Sequence, residues 1–449
     1  MPDQILILGG VAAGMSAASR ARRIAPGARI TVLEAGPAVA YGACGLPLFI
    51  AGQVASLEAL RARSEEDFAG RRIEVLTGHT ATAIQPSRRR VLATDAAGRE
   101  RGFAYDRLVI ATGAVPRGLA GDECPLLFRA NTWAKTARLE AFLRGLGPGH
   151  RAQAAVIGGG YIGLEVAEAL ATRGCQVRIF QAGATVLPSF DADMAELVAA
   201  RVRQAAGIEL QCGVRVTKII SAASGIGLDT TVGRLAADFA VEAGGLAPNT
   251  ALANAAGIAL GPTAAIAVDD RQQTNVAGIF AAGDCAESRL RITGAPVWIP
   301  LGAVANQQGR IAGQNAAGGP VARYPGVLGS LVLRVFGIEA GRTGLGLAAA
   351  RRAGFDAAAE RIEAAVAAAY MSRERITLKW IYDRASGRGL GAQLAGPPGT
   401  VLPRLHAAAA ALAARMTLDQ IETLDLAYAP AVAPLYDPLA IAAHRAAQR

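Results

Sequence analysis

One thiol stands apart by its setting. Tyr41-Gly42-Ala43-Cys44-Gly45-Leu46-Pro47 puts Cys44 between two glycines, which permit tight turns or the close approach of a flat ligand. Pro47 fixes the backbone just beyond and removes a donor. No second cysteine lies near in sequence, so no dithiol pair is available. A redox-active Cys44 must then cycle against something outside the chain: a small thiol, a sulfur atom or oxygen. The competing reading is a buried cysteine serving as a small hydrophobe. The other cysteines, 124, 175, 212 and 285, are dispersed and bring the total to five. That number and spacing argue for a reducing compartment and against a disulfide framework or a metal site.

The elements that must position Cys44 begin at once. Residues 4–8 are an apolar run ending in Gly9-Gly10-Val11-Ala12-Ala13-Gly14. A helix is expected from Met15 to Arg23, then a strand from Arg29 to Leu33, closed by Glu34. Strand, glycine turn, helix, strand, acid is the dinucleotide-binding fingerprint in its proper context. Gly9 allows the turn, Gly14 lets helix and strand pack, and the helix N-terminus receives a pyrophosphate. Glu34 accepts from ribose hydroxyls. The middle glycine is replaced by Val11, while the spacing to Glu34 is kept.

Residues 153–181 repeat this unit, with Gly158-Gly159-Gly160-Tyr161-Ile162-Gly163 carrying all three glycines. A repeat of the fold within one chain implies two dinucleotides. Gln181 stands where the acid belongs. It can bond a 2′-hydroxyl without repelling a 2′-phosphate, so the choice between NADH and NADPH stays open, leaning to NADH. Between the units the sequence predicts a helical stretch after 53, a strand at Ile73–Leu76, a hairpin of Arg90–Thr94 with Gly102–Asp106, and an apolar strand through 108–114. After the second unit come the small-residue turn 244–249 and an apolar strand through 274–284 that ends in Gly283-Asp284. The glycine-turn pattern stops near 322. Strands are expected at 328–336 and 375–382 with helices between them. The Ala-rich stretches around 348–369 and 407–414 read as helices, the latter within a helix of about 404–415.

A chain of 449 residues exceeds one core, so two or three domains are expected. Hydrophobic residues reach 52% and aromatics only 5%, which suits packed α/β layers. The net charge of +10 is almost all arginine, since Lys135, Lys218 and Lys379 are the only lysines. There is no basic arm interleaved with aromatics, so nucleic acid is not expected as a partner; anionic, phosphate-bearing small ligands are. No apolar run is long enough to span a bilayer, and no basic leader precedes the first strand. A cytoplasmic protein with no membrane partner is expected.

Together GGVAAG…E, YGACGLP, ATGA, GGGYIG, the strand ending in GD and the tail YAP…DP resemble the flavoprotein disulfide reductases, within them the single-cysteine group of coenzyme A disulfide reductases, NADH oxidases and persulfide reductases. The resemblance implies an α/β fold of two Rossmann-like domains and a C-terminal α+β dimerisation domain. FAD would lie on 1–115 and 245–322, NAD(P)H on 116–244, and the dimer contact in 323–449. It implies FAD among Gly9, Gly10, Ala13, Gly14, Glu34, Ala81, Ala111, Thr112, Gly113, Gly283, Asp284 and Ala303. NAD(P)H would meet Gly158, Gly160, Tyr161, Ile162, Gly163, Glu165, Gln181 and Gly244. The implied activity passes a hydride from NAD(P)H through flavin to Cys44, held as a low-pKa thiolate, which reduces a small disulfide or persulfide, coenzyme A disulfide foremost. Ser16, Arg20 and Arg23 match residues that meet the substrate, and coenzyme A can remain as a mixed disulfide. Tyr428 and Tyr370 match tyrosines that reach across a homodimer to the partner's cysteine, in place of the dithiol enzymes' histidine base. Rivals are an NADH oxidase or peroxidase working through a Cys44 sulfenic acid, a flavoprotein signalling to a protein partner, and a ferredoxin-type reductase.

Overall fold

In the computed structural model, which describes residues 2–119, 124–147, 149–222 and 225–448, two parallel sheets form the body of the molecule. The first runs Ile279–Ala281, Arg107–Ile110, Gln4–Leu8, Arg29–Leu33, Ile73–Leu76. The second runs Ile208–Cys212, Gln176–Gln181, Gln153–Ile157, Phe239–Glu242, Leu127–Phe128. Their central strands are buried on both faces, which is why they read as unbroken apolar runs rather than alternating ones. The strand Ile279–Ala281 follows the whole second unit in sequence yet completes the first sheet. The two crossings between halves lie side by side as the antiparallel pair Ala114–Pro116 and Leu246–Pro248.

Helix Ala12–Ile24 starts three residues earlier than the sequence suggested, directly on the glycine turn. It packs on helix Gly302–Ala316 almost backbone to backbone: a β-carbon on Gly309 would lie 2.2 Å from the Ala13 carbonyl oxygen, and one on Gly313 2.2 Å from that of Ala17. The first helix's N-terminus thus lies against the middle of helix Gly302–Ala316.

Three expectations are corrected. The predicted hairpin is the second half of a three-stranded sheet, Thr80–Gln85, Arg90–Thr94 and Glu100–Ala104, whose first strand was missed because TATAIQ carries only one large apolar residue. The apolar stretch before Gly283 is a strand only at Ile279–Ala281. The Ala-rich stretch 348–369 is a helix only at Leu347–Arg352; Ala357–Ala365 is an edge strand paired along its length with Arg375–Asp383. Alanine favours helices, but here burial follows the two-residue alternation of a strand from Ala359 to Ala365, and tertiary pairing overrides propensity. The C-terminal sheet is therefore five antiparallel strands, Leu331–Val335, Ile338–Gly344, Gly389–Gly396, Arg375–Asp383, Ala357–Ala365, and strands fill more of the interval between 336 and 375 than helices do. Helices Val401–Ala413 and Pro438–Ala447 cover this sheet, and helix Ala192–Gln204 of the second unit also packs on it. Among the described residues no helix is long and apolar enough to cross a membrane.

Candidate active site

Cys44 sits in a single 3-10 turn, Ala43–Gly45, that runs into the short helix Leu46–Ile50. Leu46, Pro47, Phe49 and Ile50 are buried, so the turn is anchored from behind while the thiol faces outward. Upstream, Ala40 N donates to the Gly10 carbonyl at 2.8 Å and Gly42 N to that of Leu60 at 2.8 Å. Tyr41 meets Trp133 edge-on at 5.5 Å, and its hydroxyl accepts from Trp133 N. The cysteine turn is thus tied to the first glycine turn on one side and to the second unit on the other.

The sulfur faces the start of helix Gly302–Ala316: a β-carbon on Gly302 would sit 4.0 Å from Sγ. That helix has no capping side chain and no acid in its first turn, so its free N–H groups and dipole favour a thiolate. The protein's other groups work against it. Burial, then the carboxylates of Glu165 and Asp284, push the Cys44 thiol above its ordinary value. Glu165 is pushed up to about 7 by burial and then by Glu168, and Asp284 to about 6 by burial. Neither carboxyl has a hydrogen-bond partner among the described residues. Two half-buried acids raised toward neutrality lie close to one thiol, an arrangement able to take up and return protons.

The two glycine turns are built alike. Gly9 and Gly158 have φ of +104° and +116°, and a β-carbon there would strike the carbonyl oxygens of Ala111 at 2.1 Å and Ala243 at 2.3 Å. The helices that follow, Ala12–Ile24 and Tyr161–Thr172, both lack a capping side chain and an acid in the first turn. Each N-terminus therefore fits a pyrophosphate. Glu34 accepts from Gly10 N at 2.6 Å and Gly36 N at 2.7 Å, which fixes a carboxylate with lone pairs left for ribose hydroxyls. Thr112 Oγ1 donates to the Asn249 carbonyl at 2.8 Å, locking 111–113 beside the return strand, with Gly113 at φ +71°. Ala13 lies in the first helix and touches Gly283; Ala303 is exposed beside Gly302; Ala81 lies opposite Ala93 in the three-stranded sheet. In the second unit Gly160 is the N-cap, Ile162 and Gly163 lie in the first turn, Gly244 touches Gly158, and Gln181 Oε1 accepts from Gly159 N at 2.9 Å. These residues fit two dinucleotides.

A cavity of about 440 Å³ opens beside Gly42 and runs between the first helix and helix Gly302–Ala316. Ser16, Arg20 and Arg23 line it as expected. Arg63, Asn306 and Arg310 join them, and sequence reasoning missed these three. The four-residue spacing of Asn306 and Arg310 on a helix starting at Gly302 was a usable signal; nothing in sequence pointed to Arg63. Asn306 Nδ2 donates to Ser16 Oγ at 2.8 Å, and Arg20 Nε to Gln314 Oε1 at 2.8 Å. Arg20, Arg23, Arg63 and Arg310 pair with no carboxylate among the described residues, so the cavity suits a polyanion. Tyr370 and Tyr428 are brought close to one another on the exposed C-terminal face.

The comparisons agree with this geometry. Residues 3–309 match the model of the pyridine nucleotide-disulphide oxidoreductases, and 333–437 match the dimerisation domain of the same family. The chain belongs to that family. It is 34% identical to a Pyrococcus abyssi NAD(P)H sulfur oxidoreductase (CoA-dependent), over 98% of this chain and 97% of that one. A solved NAD-dependent persulfide reductase from A. fulgidus superposes with TM-score 0.93 at 37% identity, covering 99% of this chain and 82% of that one. A Methanocaldococcus jannaschii NADH oxidase is 31% identical over 99% of this chain and 98% of its own length. As a member of this family the chain is a flavoprotein oxidoreductase using FAD and a nicotinamide nucleotide.

Proposed function

We propose that this enzyme uses NAD(P)H to reduce a low-molecular-weight disulfide or persulfide at Cys44, with coenzyme A disulfide as the first candidate. The observation that carries the reading is the arginine-lined cavity that reaches Gly42, two residues before Cys44, with no acid among its lining residues. Bound FAD supplies the two-electron relay between nicotinamide and sulfur. Glu34, Thr112, Gly113 and Asp284 would hold it on a domain made of 1–115 and 245–322. Gly158, Gly160, Gly163, Glu165 and Gln181 would hold the nicotinamide nucleotide on 116–244. The Cys44 thiolate, favoured by the helix start at Gly302, attacks one sulfur of the disulfide; the S–S bond breaks and one coenzyme A leaves as a thiolate. Two electrons and a proton from NAD(P)H then release the second coenzyme A and restore Cys44. Glu165 is poised to hold the proton exchanged with the thiol.

The C-terminal region, 323–449, would pair two subunits. Tyr370, Tyr428, Val432, Leu435 and Tyr436 are exposed at one end of it, where Ala368 N bonds the Pro430 carbonyl, and these side chains suit burial against a second copy. In that dimer Tyr428 and Tyr370 would reach the partner's substrate and donate to the departing thiolate. Five free cysteines suit a reducing, cytoplasmic setting.

The test is anaerobic NAD(P)H oxidation with coenzyme A disulfide or persulfide. Turnover should fall by about a thousandfold in Cys44→Ser, and Arg23→Ala or Arg310→Ala should raise KM for the acceptor with kcat little changed. Full activity in Cys44→Ser would overturn the reading. The oxidase reading has its own support, the jannaschii relative and a thiol open to small oxidants. It requires NADH consumption driven by oxygen or peroxide, with a Cys44 sulfenic acid trapped on the way.

A further inference from the structure

The C-terminal sheet carries a polar row across four strands. In the register Arg342 lies opposite Gln393, Gln393 opposite Lys379, and Lys379 opposite Arg361. Directly opposed residues share a face, so all four side chains point the same way. They meet one stretch of the second unit, residues 189–193, which leads from strand Gln176–Gln181 into helix Ala192–Gln204. The Arg342 guanidinium donates to the Ser189 carbonyl. Gln393 Oε1 accepts from Asp191 N at 2.9 Å. Lys379 Nζ sits 2.9 Å from Asp191 and 2.8 Å from Asp193, and Arg361 lies 3.7 Å from Asp193. Lys379 is only 7% exposed. An ammonium buried between two carboxylates is tolerated only in a held geometry, so this contact is stiff.

The stretch so held reaches the second glycine turn. Ser189 Oγ and Tyr161 Oη share a hydrogen bond of 2.5 Å, and Tyr161 opens the helix that follows Gly160. Leu187 N donates to the Gly159 carbonyl at 2.9 Å. Burial pushes the Tyr161 phenol up to about 12, consistent with a hydroxyl kept as a donor.

We propose that the polar row, Arg342 foremost, is a positioning device for the nicotinamide nucleotide: it fixes Ser189, and Ser189 fixes Tyr161 beside the glycine turn. The proposal rests on reading that turn as the NAD(P)H site. The sheet assigned to dimerisation thereby sets the affinity of a nucleotide site carried by the second unit.

The experiment is anaerobic stopped-flow reduction of the FAD-loaded enzyme by NADH, which needs no sulfur acceptor. It is therefore indifferent to whether coenzyme A is the substrate. Arg342→Met should raise the nucleotide Kd about fivefold, the weight of one lost hydrogen bond, with the limiting reduction rate within about twofold and FAD content unchanged. Ser189→Ala, which keeps the main-chain carbonyl and cannot disturb the sheet, should raise it about threefold. In a Tyr161→Phe background the Arg342→Met step should shrink below about twofold, because the two act through one contact. An unchanged Kd in Ser189→Ala, or an equal Arg342→Met step in both backgrounds, would overturn the proposal. If NADH binding survives Gly158→Ala untouched, the underlying site reading fails instead.

Discussion

The two nucleotide-binding units can be laid over one another residue by residue. The backbone is the same in both. Gly9 N bonds the Leu33 carbonyl at 2.8 Å and Gly158 N that of Phe180 at 2.8 Å. A β-carbon on Gly14 or Gly163 would lie 1.8 Å from the carbonyl oxygen five residues back in either case. Among the matched positions whose side chains differ, three bear on the ligands. Ala12 corresponds to Tyr161, Ser16 to Glu165, and Glu34 to Gln181. The first unit has a carboxylate pinned by two N–H groups, a small residue at the helix start and a serine turned to the substrate cavity. The second has a neutral amide pinned by one N–H, a ring tied to Ser189 of the same unit, and an acid near the thiol. A carboxylate suits bare ribose hydroxyls, and a neutral amide accepts a hydroxyl without repelling a 2′-phosphate. One backbone device fits pyrophosphate twice, and the side chains around it differ.

The largest effect should come from breaking that backbone device in each unit separately. Gly9→Ala and Gly158→Ala both force a β-carbon at positive φ into a carbonyl oxygen, a strain of about 1–3 kcal/mol before the clash is counted. Gly9→Ala should purify without flavin absorbance and without any activity. Gly158→Ala should retain its flavin but show an NADH Kd raised about tenfold or more in stopped-flow reduction. Loss of flavin from both variants would mean that the units are not independent.

Much of this was legible because each unit's chemistry is local. Glycine turn, helix and second strand lie within about thirty residues, and their spacing alone located Gly9, Gly14, Glu34, Gly158, Gly163 and Gln181. What escaped depends on contacts distant in sequence. Arg63, Asn306 and Arg310 belong to the cavity only because helix Gly302–Ala316 crosses the first helix at backbone distance. The opposing influence on Cys44 was invisible because Glu165 and Asp284, more than a hundred residues away, share its surroundings. Ala357–Ala365 misled because alanine favours a helix, while its pairing with Arg375–Asp383 is invisible to local propensity.

A second, smaller effect separates the units by charge. Gln181→Glu gives the second unit the first unit's carboxylate while keeping the acceptor for Gly159 N. A 2′-phosphate would then face a like charge, and kcat/KM for NADPH should fall about thirtyfold while that for NADH moves less than about threefold. Steady-state ratios with the two nucleotides check this. Equal losses for both would place position 181 away from the ribose and undo the pairing of Gln181 with Glu34.

The smallest effect concerns Glu165 against its counterpart Ser16. With its carboxyl held near 7, the folded protein prefers Glu165 protonated, above an ordinary glutamate value of about 4.3 in the unfolded chain. That preference contributes stability in full below about pH 4 and is lost as pH rises through 7, because the unfolded chain releases the proton first. Glu165→Gln cannot ionise and escapes the loss. Its melting temperature relative to the parent should therefore climb by about a degree or two between pH 5 and 8. The matched change Ser16→Ala should give a difference that does not vary with pH, since no titrating group is removed. In NADH-driven flavin reduction the Gln variant should also lose an ionisation near pH 7. A flat melting difference across that range would show that Glu165 does not hold a proton in the folded enzyme, and the acid beside Cys44 would then have to be Asp284, whose own step lies near pH 6.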